Sequence, residues 1–180
     1  MPLTGSAWIA LIAAVLAAAP VSPTPPPPKI AVLDFELNDL TPTPNTPDEV
    51  AAIARASRLL RHSLATDCGY DIVPVDSAAQ HRANSGLGYL FAHPAESARL
   101  ANAAGADWVV VGQLTVSSPI VSEFHVELVR VDRATLASAV SIEVKGNSGD
   151  SALFATGIAH VARQIDRAIP SAPRCPVSAK

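Results

Sequence analysis

The pattern of hydrophobic and polar residues is clearest between residues 106 and 145, where it predicts three consecutive strands. Residues 108–111 form a continuous apolar run, which is typical of a strand buried on both faces. Residues 123–128 and 136–145 alternate instead, and a period of two puts their apolar side chains on one face of a sheet and their polar ones on the other. The polar or small segment 132–135 joins these two runs and predicts an antiparallel hairpin on a type I turn.

This meander should have one dry face and one wetter face. We expect its apolar side chains on the dry face: Phe124, Val126, Leu128, Leu136, Val140, Ile142 and Val144. On the wetter face His125 falls between Glu123 and Glu127, which we interpret as surface chemistry, with a pH-sensitive contact as the alternative. Because a dry face has to be covered, helices should pack on it.

Three stretches carry helix signals. Thr46, Pro47 and Glu49 combine a capping box with a proline in the first turn, and helical spacing continues until Gly69. The cations of this helix, Arg58, Arg61 and His62, are interpreted as a solvated face, with an anion site as the alternative. An alanine-rich helix is predicted from Pro94 to Ala104. The last helix carries the apolar stripe Phe154, Ile158, Val161, Ile165 and Ile169.

Two more strands precede the meander. Residues 30–35 are apolar enough for a central strand, whereas Pro74 places residues 70–75 at an edge or a strand end. A short helix is predicted over 76–84, and the glycine-punctuated apolar loop 85–92 is expected to line a groove. The order strand, helix, strand, helix, helix, three strands, helix predicts a mixed α/β domain: a single mixed sheet with helices packed on it.

The amino-terminal residues predict export. The first 28 residues carry no charged side chain, and an apolar run over 7–18 is followed by small residues suited to cleavage. We therefore predict a signal peptide over 1–22, a proline-rich spacer over 23–28, the mixed α/β domain over 29–169 and a flexible tail over 170–180. The product would be periplasmic or secreted, without a stable membrane span after signal removal.

The cysteines and the charge narrow the class further. An exported protein with two cysteines, Cys68 and Cys175, favours a disulfide between them, and two free thiols are the alternative. The net charge is −3 and no Lys- or Arg-rich patch occurs, so no nucleic-acid partner is expected. No hydrolase, P-loop or dinucleotide-binding motif is present, and we expect neither an enzyme nor a cofactor.

Two groups of residues are candidates for a ligand or metal site. Asp34, Glu36 and Asp39 cluster at the carboxyl end of the first strand, where ligands tend to bind in an α/β sheet, and their oxygens suit a hard cation such as calcium or a lanthanide. His93 and Glu96 lie one helical turn apart and suit zinc if a third ligand joins them. The alternatives are capping and solvated roles for the acids and a helix-flanking role for His93.

Three stretches, IAVLDFEL, GADWVVVGQL and SIEVKGNSGDSALFATGI, together resemble a family of secreted bacterial proteins whose domain has an unknown function. The resemblance covers roughly residues 29–167. The first strand and the GAD strand are also similar to the amino-terminal domain of TolB and to periplasmic domains of curli-secretion and outer-membrane assembly lipoproteins. This similarity implies a mixed α/β domain that binds protein partners in the cell envelope without catalysis.

The resemblance also implies an association with quinoprotein dehydrogenase systems and a C-x-x-C pair before the GAD strand. The matching positions here are His93, Pro94, Ala95 and Glu96, so the thiols are absent and no redox or thiolate-metal role tied to that pair is expected. The sequence thus favours a non-catalytic accessory module that binds an envelope or periplasmic protein through a sheet edge or the 85–92 groove. The alternative is a carrier of a small ligand or metal; the oligomeric state stays open.

Overall fold

The computed structural model describes residues 26–146, 151–170 and 174–175. Their elements are β1 Lys29–Val32, β2 Glu36–Asp39, α1 Pro47–His62, β3 Asp71–Val73, α2 Ser77–Ala83, α3 Tyr89–Ala92, α4 Pro94–Ala103, β4 Trp108–Ser118, β5 Val121–Arg130, β6 Thr135–Lys145 and α5 Ser151–Ala168. A π-helical turn, Ser63–Asp67, continues α1. The mixed α/β architecture with one mixed sheet is confirmed.

The strands form a single sheet in the order β3-β1-β4-β5-β6, with β2 also paired to β4. β1 is parallel to both β3 and β4, and β2 is parallel to β4. The chain then turns back twice, because β4, β5 and β6 pair antiparallel as the predicted meander. β3, the strand before Pro74, lies at one edge as expected, and β6 lies at the other.

Helices cover the two faces of the sheet unequally. α1 and α5 pack on one face, where Phe124, Phe154 and Ile158 belong to the larger of two apolar clusters. α4 belongs to the other face, where a smaller cluster surrounds Val109 and Val111. On β6 this second face is exposed at Ala139, Ser141 and Glu143. The predicted dry and wetter faces of the meander are therefore present.

The prediction of one continuous first strand over residues 30–35 is wrong. The strand breaks after Val32 and resumes as β2, still parallel to β4. At the break the Phe35 N–H donates to the Ser57 Oγ at 2.9 Å instead of to a neighbouring strand. Contacts from helices therefore replace part of the strand pairing at this point.

Two other local predictions also need correction. Leu136 was placed on the dry face with Val140, but a register shift between Leu128 and Val129 on β5 puts Leu136 opposite Val129, on the other face. Leu136 is consequently exposed. Residues 89–92 of the expected apolar loop form the short helix α3 instead, and its Leu90 is buried in the smaller cluster.

The start of α1 follows its sequence signal. The Thr46 hydroxyl accepts the Glu49 N–H, and the Glu49 carboxylate accepts the Thr46 N–H at 2.7 Å, which completes the capping box. The predicted signal peptide lies outside the described residues. Within the described part of the chain, no helix has the length and apolar character needed to cross a membrane.

Candidate functional site

Asp34 lies in the break between β1 and β2, where two helices hold it. The Arg61 guanidinium of α1 contacts one Asp34 oxygen at 2.7 Å, and the Ser77 hydroxyl of α2 donates to the other at 2.8 Å. Arg61 also donates to the Val32 carbonyl at 2.7 Å, so its expected place on a solvated helix face was wrong. Burial alone would raise the pKa of Asp34, but these hydrogen bonds outweigh it and lower the pKa.

Glu36 and Asp39 are also engaged by the protein itself. The Glu36 carboxylate accepts hydrogen bonds from the Asn84 amide and, at 2.5 Å, from the Gly88 N–H. Gly88 has a φ of 73°, a left-handed conformation that favours glycine. Asp39 accepts the Thr41 N–H at 2.8 Å. The acids after the first strand thus fix neighbouring segments in place.

His93 and Glu96 have separate partners. The His93 ring stacks on Tyr89 with 4.1 Å between centroids, and its Nδ1 lies 2.8 Å from the Tyr89 carbonyl oxygen. Glu96 pairs with Arg99 at 2.8 Å. Over the described residues, no three His, Cys, Asp or Glu side chains are grouped so as to hold a metal ion. The metal or ligand role of these residues stays a prediction.

The two cysteines are joined. A disulfide connects Cys68, at the end of the π-helical turn, to Cys175. Next to it the buried carboxylate of Asp166 accepts the Cys175 N–H at 3.1 Å and the Tyr70 hydroxyl at 2.8 Å. Burial, and then the hydrogen bond to Asp166 and its charge, raise the pKa of Tyr70. The disulfide and this network tie α5 to the end of α1.

The outer edge of β6 is the longest open backbone edge of the sheet. β6 has eleven residues and pairs only with β5 among the described strands, whereas β3 at the other edge has three. The segment 136–142 contains no charged residue and no proline. Natural sheets usually protect such an edge with charges or proline, because unpaired N–H and C=O groups recruit another strand.

The exposed face beside this edge is rich in acids. Glu123 contacts the His125 ring at 3.4 Å and also accepts a hydrogen bond from the Ser141 hydroxyl. Glu143 pairs with Lys145 at 2.9 Å. Glu123 and Glu143 therefore have partners within the chain. A third acid of the same face lies on β5 and has a different environment.

That third acid is Glu127. It lies opposite Val111 on β4 and opposite Ala139 on β6, so its cross-strand neighbours are apolar or small. Burial raises the pKa of Glu127. No cation of the described chain lies within ion-pair distance of its carboxylate. Glu127 is therefore a partly buried acid without a counter-ion at this face.

The sequence pointed to a sheet edge without identifying it. The order of elements favours an edge position for β6, because it is the last strand of an antiparallel meander and a helix follows it. Gln80 of α2 also donates to the Asp34 carbonyl at 2.8 Å. The contacts made by Arg61, Ser77 and Gln80 had no such signal, because their partners at the strand break lie far away in the chain.

Solved structures are similar to this chain at low sequence identity. The PelC dodecamer from Paraburkholderia phytofirmans has a TM-score of 0.52 and 17% identity, covering 77% of this chain and 88% of that one. E. coli LpoB has a TM-score of 0.50 and 14% identity, covering 82% and 83%. TolB from Acinetobacter baumannii has a TM-score of 0.46 and 18% identity, covering 79% and 28%.

A search of curated proteins finds no match to this sequence. A family model does match, over residues 28–164, which is most of the chain. The chain therefore belongs to the DUF3280 family, described as "Protein of unknown function (DUF2380)".

Proposed function

We propose that this protein is a non-catalytic accessory module of the bacterial cell envelope, which works by protein–protein contact through the open edge of β6. The observation that carries the proposal is that edge: eleven residues long, paired on one side only within the described chain. A strand from another polypeptide would continue the sheet and satisfy its free backbone groups.

The location outside the cytoplasm is supported by two independent features. The apolar, uncharged amino-terminal segment suits an export signal. The disulfide between Cys68 and Cys175 suits an oxidising compartment, because cytosolic thiols are kept reduced.

The solved PelC structure supports the mode of action. Its fold is similar to this one, and it is a dodecamer, so a domain of this type can assemble with other protein chains. Association with a quinoprotein dehydrogenase, implied by the family resemblance, draws no support from the structure and stays a prediction.

The rival function, a carrier that uses Asp34, Glu36 and His93, has less support. Each of these side chains already contacts the protein, so a ligand would have to displace Arg61, Gly88 or Tyr89. A thermal-shift screen with metals and metabolites tests it: stabilisation by several degrees that Asp34→Ala abolishes would favour the carrier.

The main test is site-specific photocrosslinking in a bacterial host. A photoreactive residue replaces Ser141 on β6 in one variant and Arg58, exposed on α1, in the control. We expect a discrete crosslinked protein adduct from position 141 and none from position 58. Equal labelling from both positions, or no adduct from β6, would contradict the proposed function. Fractionation of the same cells should place the protein outside the cytoplasm.

A further inference from the structure

The strip of sheet beside the open edge of β6 has two chemically different surfaces. Towards α5 it presents Val140, Ile142 and Val144, of which the first two are only partly buried. On the opposite surface β6 presents the small side chains of Ala139 and Ser141. A strand added at this edge would therefore place apolar residues on the α5 side. On the other side, long side chains of the added strand would meet only the small side chains of β6.

Glu127 lies just beyond that small strip. Adjacent strands are about 4.8 Å apart, so a residue added opposite Ala139 would stand about 10 Å from Glu127, two spacings away. A lysine side chain can lie across Ala139 and meet the glutamate at that separation. The edge thus fits a strand that alternates apolar residues with a lysine opposite Ala139.

β6 itself has this pattern. Its apolar residues alternate with its polar ones, and its only cation is Lys145, whose exposed pair with Glu143 is weak enough to be exchanged for a pair with Glu127. When two copies of β6 pair antiparallel about a two-fold axis at Ile142, Lys145 of the second copy stands opposite Ala139. Val140 then faces Val144 of the second copy, and apolar residues meet apolar residues along the α5 side.

Neighbouring registers are less favourable. Shifting the second copy by two residues in one direction places Glu143 of one copy opposite Glu143 of the other. Like charges directly opposite each other are destabilising. Sliding it by two residues the other way places Glu143 of the second copy opposite Ala139, in line with Glu127. Of these three registers, the one centred on Ile142 alone brings a cation to Glu127 and separates the acids.

We propose that the strand received by β6 is β6 of a second copy of this chain, paired antiparallel about Ile142, with Lys145 of each copy bound to Glu127 of the other. This rests on the proposed function, because it names the partner at the same edge. The interface is isologous, as in most homodimers, and joins two sheets into one.

The first measurement is sedimentation analysis of the full, disulfide-bonded protein over a range of concentrations. Because the contact is a single strand pair with two ion pairs, we expect a dimer with a Kd in the micromolar range. Lys145→Glu and Glu127→Lys should each weaken it at least about tenfold, since each creates two repulsive pairs. Arg58→Glu, which makes the same charge change as Lys145→Glu but on α1, should leave the dimer affinity unchanged.

Mixing the two variants provides the decisive comparison. Lys145→Glu and Glu127→Lys chains should form a heterodimer close to the original affinity, because one ion pair is kept as in the parent protein and the other is restored with reversed polarity. Hydrogen exchange of residues 139–145 should slow as concentration rises.

Each other outcome overturns the proposal. A monomer at all concentrations, a dimer indifferent to both reversals, or no recovery in the mixture would do so. If crosslinking from position 141 instead captures a different protein, the proposed function stands and the second copy is the wrong partner. If position 141 captures nothing and no dimer forms, both fail.

Discussion

The ring of Phe35 lies directly against the backbone of Gly112. A Cβ atom on residue 112 would stand 2.3 Å from the Phe35 Cε1, so the glycine leaves the space that the ring occupies. We therefore expect Gly112→Ala to lower the free energy of unfolding by about 1–3 kcal/mol through overpacking. Urea denaturation at neutral pH measures this loss.

The control for this prediction is a double-mutant cycle. Phe35→Leu should remove part of the clash, so that Gly112→Ala costs less in that background, with a coupling of more than about 0.5 kcal/mol. Additive effects of the two substitutions would show that the ring and the glycine do not constrain each other.

The disulfide should contribute strongly to stability because it joins residues 107 positions apart. In the chain-entropy model, closing a loop of that length stabilises the fold by about 4–5 kcal/mol. Reduction should therefore lower the Tm by roughly 10 °C for a domain of this size. The double variant Cys68→Ser/Cys175→Ser should melt like the reduced protein and ignore the reductant. A Tm unaffected by reductant in the parent protein would contradict this prediction.

Asp34 should make the protein sensitive to acid. A carboxyl whose pKa is lowered by folding contributes stability above its unfolded pKa and loses that contribution as pH falls through the folded pKa. Its side chain is 48% exposed, so we expect an effect below about 1 kcal/mol.

Asp34→Asn should accordingly lose less stability than the parent protein between about pH 5 and pH 3. Thermal melts across that range measure the difference, and Asp48→Asn, an exposed aspartate in the first turn of α1, is the matched control. Identical acid profiles for the parent protein and Asp34→Asn would contradict the role given to the contacts of Arg61 and Ser77.

The Tyr70 hydroxyl should contribute to the free energy of unfolding. Tyr70→Phe leaves the buried Asp166 with one hydrogen-bond donor fewer, and the loss of a bond to a charged group should cost about 1.5–3 kcal/mol. Because folding raises the pKa of Tyr70, its contribution is complete below the unfolded tyrosine pKa, near 10, and declines at higher pH. Unfolding measured at about pH 8 and about pH 11 should show a smaller alkaline loss for Tyr70→Phe. An equal loss in both proteins would contradict this assignment.

Local signals were sufficient where neighbours in sequence determine the structure. The capping box of Thr46 and Glu49 starts α1, and alternation along β5 gives the faces of Phe124 and His125 correctly. Leu136 was misplaced because one extra residue in a bulge reverses the alternation without leaving a clear trace in composition.

Long-range contacts explain what sequence analysis missed. The break after Val32 is held by Ser57, Arg61 and Gln80, which lie 22, 29 and 46 residues from their backbone partners. No periodicity encodes such pairs. Likewise, the edge position of β6 follows from strand order, which the alternation of single strands does not specify.

The position of β1 in the sheet has a consequence for biogenesis. β1 lies between β3 and β4, so Ile30 pairs with Ile72 and with Trp108, both of which are synthesised later. A chain that passes amino terminus first through a narrow translocation channel would emerge with β1 paired to β3 at most, on one side only, until β4 follows. The sheet could then not close on both sides of β1 until more than half of the chain had crossed, which delays formation of the core.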